Sequence, residues 1–241
     1  MENLLKSEST LTFTVNGISF KMIKVEGGTF MMGAHANQED EARFNEKPVH
    51  SVTLGSYYIA ETEVTQALWE TIMGDNPSCF KDSVNNPVER VSYDYCKKFI
   101  SKLEALTGKQ FRLPTEAEWE FAARGGNKSK DYIYAGSNNL DEVAWCAYNS
   151  DGYTHPVKTK APNELDLYDM TGNVWEWCDD WYRDYDSAQT HPYCPNGVSD
   201  RVSRGGSWLD DARGCRSSCR GGTFSNYAYY YMGFRLALDD K

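Results

Sequence analysis

The alternation of apolar and polar residues predicts a hairpin near the start of the chain. Residues 10–24 alternate in this way on either side of the dipeptide Asn16-Gly17. This dipeptide tolerates the positive φ angles that a type I′ turn requires at both central positions. The segment is therefore predicted to form two antiparallel strands.

Apolar residues at helical spacing predict three helices after the hairpin. Each has an N-cap residue before it and a glycine after it: Thr65 and Gly74, Ser92 and Gly108, Thr115 and Gly125-Gly126. The third helix starts with a capping box, Thr115-Glu116-Ala117-Glu118. The stripe predicted for the second helix is Cys96, Phe99, Ile100, Leu103 and Leu106.

After residue 126 the periodicity fades for about a hundred residues, which are rich in Gly, Asn, Asp, Tyr and Trp. No helix of ordinary length is predicted there. A long irregular region fits a compact protein only when tight turns, ions and side-chain hydrogen bonds organise it. The 241 residues are enough for one large domain, or at most two small ones.

Composition narrows the classes of partner. The formal net charge is −10 with an isoelectric point near 4.9, so a nucleic-acid backbone would on average be repelled. The sequence contains no run of eighteen apolar residues, so no membrane span is predicted. The first ten residues also lack the features of a signal peptide. We therefore expect a cytoplasmic location or display on a phage particle or cell surface.

The cysteine pattern argues against a disulfide framework and against zinc. Seven cysteines are an odd number, so at least one thiol should be free. No Cys-x₂-Cys or His-x₃-His pair begins a zinc site.

Six sequence blocks, in order from about residue 20 to residue 239, resemble the formylglycine-generating enzyme family, the sulfatase-modifying factor domain. The blocks are GGTFMMG (27–33), EVTQALWE (63–70), FRLPTEAEWEFAARGG (111–126), LYDMTGNVWEWCDDWY (167–182), RGGSW (204–208) and GFRLAL (233–238). The resemblance implies a single α+β domain over residues 1–241, with a C-type-lectin-like arrangement and little regular secondary structure.

The resemblance also implies a test for catalysis. Family enzymes oxidise a sulfatase cysteine with oxygen and a copper(I) ion that two thiolates hold, and soft sulfur ligands suit this ion. Counting from Ser207, the first thiolate position is Asp210 and the second is Cys215. A carboxylate is a hard ligand, so no copper is expected. Ser207 and Trp175 correspond to pocket residues of the enzymes.

Two interpretations of the remaining thiols stay open. Cys219 would be the substitute partner for Cys215 if the protein is an enzyme. Otherwise Cys215 is a packed core thiol, since free cysteine often behaves as a small buried hydrophobe, and Cys219 is a surface or half-buried residue.

The GNVWEW block resembles one calcium site of the family, in which side-chain carboxylates combine with backbone carbonyls. The resemblance places the ligands at Asp169, Gly172, Val174 and Glu176. Such an oxygen set suits a hard divalent ion, and we expect structural calcium there. The alternative is a turn held by hydrogen bonds without metal.

Residues 209–231 have an unusual composition, and we call them the 209–231 segment. Lys, Glu, Gln, Met and Trp are absent from these 23 residues, although Met and Trp each occur seven times in the chain. The amino acids present are all reachable from an AAY codon whose adenines are replaced, which is the signature of a diversity-generating retroelement. The variable proteins of such retroelements are similar in fold and carry their diversified residues between RGGSW and GFR.

These observations favour a non-catalytic protein that binds a protein or a cell-surface macromolecule through a Tyr-rich face. Tyr, Ser, Gly and Asn suit adaptable contact surfaces, although tyrosines also pack inside sheets. The expected contact residues are Trp208, Asp210, Arg213, Arg216, Phe224, Asn226, Tyr227, Tyr229 and Tyr230. We expect at least two strongly exposed rings, grouped on one face, among the tyrosines from 227 to 231.

The competing hypothesis is an oxidoreductase of the formylglycine-generating type, with Cys215, Cys219, Ser207 and Trp175 as its reactive and pocket residues. A lectin that binds sugar through calcium ranks below both, because no Glu-Pro-Asn motif occurs.

Overall fold

The computed structural model describes residues 9–38, 40–185, 194, 196–197 and 200–240. Residues 1–8, on which most of the signal-peptide prediction depends, lie outside them. The helices are α1 (Gln66–Met73), α2 (Tyr93–Thr107), α3 (Glu116–Ala123) and α4 (Leu140–Val143). The strands are β1 (Thr10–Val15), β2 (Ile18–Val25), β3 (Gly28–Met32), β4 (His50–Leu54), β5 (Tyr57–Ala60), β6 (Phe111–Arg112), β7 (Trp175–Trp181), β8 (Asp200–Arg204), β9 (Arg220–Phe224), β10 (Met232–Gly233) and β11 (Ala237–Asp239).

The strands of the described residues form three sheets, and together with the helices they confirm the predicted α+β class. One sheet has the order β1-β2-β5-β11-β6, a second has the order β10-β7-β8-β9, and β3 pairs with β4. The predicted hairpin is β1-β2, and its turn residues Asn16 and Gly17 have φ angles of 48° and 88°. Strand β11 lies between β5 and β6, so a strand from near residue 238 is in the interior of the first sheet.

The three predicted helices begin and end where their caps predict. The hydroxyl groups of Thr65, Ser92 and Thr115 each accept a backbone N–H from the first turn. In α2 the stripe from Cys96 to Leu103 is buried, but the prediction for Leu106 is wrong, because this side chain is exposed. Leu106 lies at the edge of the stripe in the last turn, beyond the residues that pack against the core.

Buried ion pairs organise much of the irregular second half of the chain. Four arginines that are almost completely buried each pair with a buried glutamate: Arg204 with Glu120, Arg216 with Glu46, Arg220 with Glu116 and Arg235 with Glu176. Buried charges are tolerated when they are paired and hydrogen-bonded. The first three pairs connect the second half of the chain to α3 and to the segment around Glu46, and the fourth joins two parts of the second half.

The second sheet positions the 209–231 segment. Strand β8 ends at Arg204, and the RGGSW turn then leads into the segment, which returns as β9 beside β8. A Cβ atom on Gly206, whose φ is 74°, would lie 2.8 Å from the carbonyl oxygen of Gly214. The turn therefore requires glycine, and it fixes the point at which the segment starts.

Candidate binding face and metal site

The 209–231 segment divides into a buried centre and two exposed parts. Residues 214–220 are all buried. Before them, Leu209, Asp211 and Arg213 are exposed, and Asp210 is partly exposed. After them, the exposed residues are Gly222, Phe224, Asn226, Tyr227, Ala228 and Tyr230. Sequence variation without loss of the fold is therefore possible only in the two outer parts.

The exposed aromatic rings belong to a continuous row of rings in contact. Phe224, Tyr227 and Tyr230 are 49%, 45% and 42% exposed. Ring contacts with centroid separations of 5.0 to 5.7 Å connect, in order, Phe224, Tyr227, Tyr229, Tyr231, Tyr230, Trp208 and Phe80. We call these seven residues the aromatic row. Its members support one another, which presents the exposed rings in fixed positions.

Two residues that were expected to contact a ligand are buried, so these two predictions are wrong. Trp208 is 7% exposed, because its ring packs edge-on against Phe80 and its indole N–H donates to the carbonyl of Tyr230. Arg216 is 1% exposed and forms a two-point ion pair with Glu46 at 2.7 and 2.8 Å. Burial alone would raise the pKa of Glu46, but the hydrogen bonds from Arg216 and Ser218 hold it below its usual value.

Asp210, which is partly exposed, is held by two neutral donors. The indole N–H of Trp175 donates to its Oδ2 at 2.8 Å, and the hydroxyl of Ser207 donates to the same oxygen at 2.5 Å. Asp210 also lines a cavity of about 290 Å³ together with Arg43, Trp175, Ser203, Leu209, Gly221, Thr223, Tyr231 and Met232. The pocket residues predicted from the resemblance are therefore together, but no cysteine lines this cavity.

Both cysteines considered for catalysis are buried. Burial, with a smaller contribution from the nearby Asp210 carboxylate, raises the pKa of the Cys215 thiol well above its usual value. Burial also raises the pKa of Cys219. The expectation that Cys219 is a surface or half-buried residue is wrong, because its side chain is packed in the main core cluster. Thiolates, which bind soft metals and attack electrophiles, are disfavoured at both positions. All seven cysteines are free.

The predicted calcium turn has a backbone suited to directing carbonyl groups inward. Asp169, Gly172 and Asn173 all have positive φ angles. A Cβ atom on Gly172 would collide with the carbonyl oxygen of Trp145, so only glycine fits at this position. Asp169 accepts the backbone N–H of Lys158 at 2.8 Å, and burial raises its pKa to about 6.

The charges around this turn favour a cation. Three carboxylates are buried there, those of Glu63, Asp169 and Glu176. Arg235 pairs with Glu176 at two points, while the bonds to Glu63 come from the side-chain amide of Asn173 and the N–H of Val174. A donor set of carboxylate and carbonyl oxygens fits calcium. Carbonyls would be needed, because the described side chains include no group of three or more His, Cys, Asp or Glu that could hold a metal.

Sequence reasoning missed three residues near these sites. Phe80 ends the aromatic row, Arg43 is an exposed cation at the cavity, and Glu63 binds the turn of the predicted calcium site. All three precede the 209–231 segment by more than a hundred residues, and no local pattern connects them to it. Of the other expected contact residues, Arg213 and Asn226 are exposed and Tyr229 is half-buried.

The sequence match to a known family covers most of the chain. Residues 12–240 match the Sulfatase-modifying factor enzyme 1-like domain. This chain belongs to that family. As a sulfatase-modifying factor domain, it has the α+β, C-type-lectin-like architecture that the six blocks predict. No helix in the part of the chain that the structure describes is long and apolar enough to span a membrane.

Relatives of this sulfatase-modifying factor domain have different names. It is 34% identical to the chaperone protein LppX of Paenibacillus barcinonensis, over 80% of each chain. It is 29% identical to the formylglycine-generating enzyme of Streptomyces coelicolor, over 90% of this chain and 88% of the relative. Among solved structures, it superimposes on Treponema denticola variable protein 1 with a TM-score of 0.88 at 32% identity, covering 97% of this chain and all of that one.

Proposed function

We propose that this chain is a non-catalytic binding protein, a single domain that displays a diversified Tyr-rich surface to a protein or cell-surface macromolecule. The observation that carries the proposal is the exposed end of the 209–231 segment, where Phe224, Tyr227 and Tyr230 stand on a row of packed rings. Exposed aromatic patches of this kind mark contact surfaces, and rigid tyrosines provide contact area at low entropic cost.

The division of the segment supports diversification of its outer parts. The buried ion pairs of Arg216 and Arg220 attach its centre to the core, while the side chains at its exposed positions contribute little to core packing. The resemblance to a variable protein in both sequence and fold points in the same direction.

The coding DNA tests the proposal directly. We expect a near-identical copy of the segment that encodes residues 207–235 close to the gene, differing chiefly at adenines and adjacent to a reverse transcriptase. Codons without an AAY bias across positions 209–231, and no such copy, would contradict diversification.

An oxidoreductase of the formylglycine-generating type is the second candidate. One observation favours it: Cys215 occupies the second thiolate position of the resemblance in a chain that is related to such an enzyme. If it is correct, the protein consumes oxygen in the presence of copper(I) and a cysteine peptide, and Cys215→Ser removes this activity. Against it stand Asp210 at the first position and the raised pKa of the Cys215 thiol.

We also propose that Asp169 and Glu176, with the carbonyl groups of Gly172 and Val174, hold a structural calcium ion. The ion would offset the excess of buried carboxylates and fix the turn that precedes β7. In this proposal calcium takes no part in ligand contact.

A further inference from the structure

We propose that the contact face extends beyond the 209–231 segment to a fixed loop, residues 76–90, and that its partner is a protein that presents carboxylates around an apolar patch. We call these residues the 76–90 loop. This inference rests on the proposed binding function. The inference adds the 76–90 loop to the contact face as a part that stays the same when the residues of the 209–231 segment are diversified.

The aromatic row connects the loop to the segment. Phe80 packs edge-on against Trp208 with ring centroids 5.3 Å apart, and Trp208 contacts Tyr230 at 5.7 Å. At a second point, the backbone N–H of Arg90 donates to the carbonyl of Tyr229 at 3.0 Å. The loop and the tyrosines are therefore adjacent parts of one surface.

The loop has several accessible side chains, of which Phe80 and Arg90 are of types that are enriched at protein interfaces. Cys79 and Arg90 are exposed, Val84 is 59% exposed, and Phe80 is half-buried. Aromatic residues and arginine are enriched at the centres of protein interfaces. A row of seven rings bordered by this loop is also broader than a pocket for a small molecule, and it suits a macromolecular surface.

The exposed charges on the loop indicate the chemistry of the partner. They belong to Lys81, Asp82 and Arg90, so the surface of the loop has an excess of positive charge, although the whole chain carries a net charge of −10. The contacts of the two cations are with neutral atoms: Lys81 donates to the carbonyl of Asn76 at 2.8 Å, and Arg90 donates to the sulfur of Cys79 at 3.7 Å. Complementary charges raise the association rate and the specificity of an interface, which favours a partner with carboxylates opposite them.

The loop is held in place before any partner binds. The carboxylate of Glu89 accepts the backbone N–H groups of Cys79 and Phe80. The side chain of Gln66, at the start of α1, donates to the carbonyl of Phe80 at 2.7 Å and accepts from Asn76 at 2.9 Å. A preorganised loop loses little entropy on binding, so it is suited to serve every diversified version of the face.

The test uses a library of the full chain in which Phe224, Asn226, Tyr227 and Tyr230 are varied and displayed. Clones are selected against α-lactalbumin, an acidic protein, and lysozyme, a basic one. In clones that bind α-lactalbumin, we expect Phe80→Ala, Val84→Asp and Arg90→Glu each to weaken binding at least tenfold. Phe44→Ala, at a 94% exposed ring in another segment, and Lys109→Glu, at an exposed lysine after α2, are the matched controls and should leave binding within twofold.

A chemical measurement guards against misfolded variants. Cys79 is exposed, and bound α-lactalbumin should protect it from alkylation by iodoacetamide in the unchanged loop. If the affinity for α-lactalbumin is unchanged by all three loop substitutions, and Cys79 is alkylated equally fast in the complex, the extended face is overturned while the proposed function stands. Failure to select any binder to either protein would overturn the proposed function, and the extended face with it.

Discussion

Residues of the same type in the 209–231 segment have different structural roles, although their positions in the sequence do not distinguish them. Arg213 and Arg216 are three positions apart and both were expected to contact a ligand. Arg213 is exposed and donates to the carbonyl of Glu41, whereas Arg216 is buried against the carboxylate of Glu46. Composition alone cannot separate them, because the partner of Arg216 lies 170 residues earlier in the chain.

This difference predicts unequal effects on stability. Arg216→Ala should lower the free energy of unfolding by about 3–5 kcal/mol, because it leaves the Glu46 carboxylate buried and unpaired. Arg213→Ala should lower it by less than about 1 kcal/mol, as is usual for an exposed site. Urea unfolding of both variants measures the difference, and equal losses would contradict the division of the segment.

At the scale of elements, the sequence predicted the turns and helix ends that form through interactions between neighbouring residues. The Asn16-Gly17 turn and the caps of α1, α2 and α3 were predicted because each depends on residues within a few positions. Strands β7, β8 and β9 were not predicted. Their buried Glu176, Arg204 and Arg220 look like surface residues until distant partners neutralise them. Six members of the aromatic row lie in or next to the 209–231 segment and were singled out from the sequence, whereas Phe80 was missed because it reaches the row from another loop.

The anchor of the 76–90 loop predicts a pH dependence. Burial raises the pKa of Glu89 to about 7 from an ordinary value of 4.5, although the backbone N–H groups of Phe80 and Cys79, and to a smaller extent Arg90 and Lys81, lower it in part. A raised native-state pKa means that the neutral form stabilises the fold, so this stabilisation is lost as the pH rises from 4.5 through 7. The free energy of unfolding should fall by up to about 3 kcal/mol on this account.

Glu89→Gln stays neutral and should show a smaller fall between pH 4.5 and 7.5. Asp180, whose pKa burial raises to about 7, contributes in the same direction to both proteins, so the difference between them isolates Glu89. Glu70→Gln, at an exposed site in α1, serves as the control. Identical pH profiles for wild type and Glu89→Gln would show that Glu89 does not titrate in this range.

At the scale of the whole molecule, paired charges and rings replace regular secondary structure as the source of rigidity. Buried ion pairs attach the irregular half of the chain to α3 and to the segment around Glu46, and the buried carboxylates of Glu63, Asp169 and Glu176 lie around the turn before β7. Ion pairs of Arg216 and Arg220 hold the buried centre of the 209–231 segment, while its outer parts are exposed. This arrangement lets contact residues change while the fold is kept.

Calcium removal tests the turn before β7. If calcium binds there, calcium in 100-fold excess over its Kd should stabilise the native state by about 2.7 kcal/mol, and a chelator should reverse the gain. Asp169→Asn should reduce the calcium-dependent rise in Tm, whereas Asp166→Asn, at a neighbouring exposed site, should not. Unfolding curves that are unaffected by calcium at about 1 mM would favour the turn without metal.

The prediction that Asp210 prevents tight copper(I) binding is tested most directly by competition for copper(I) against a chelator, with wild type and Asp210→Cys side by side. We predict that wild type takes up no copper(I) tightly, because a hard oxygen occupies the first position and burial keeps Cys215 protonated. Asp210→Cys should increase the affinity by supplying the second sulfur. A wild-type protein that binds copper(I) through two sulfurs and oxidises a cysteine peptide would contradict the binding function.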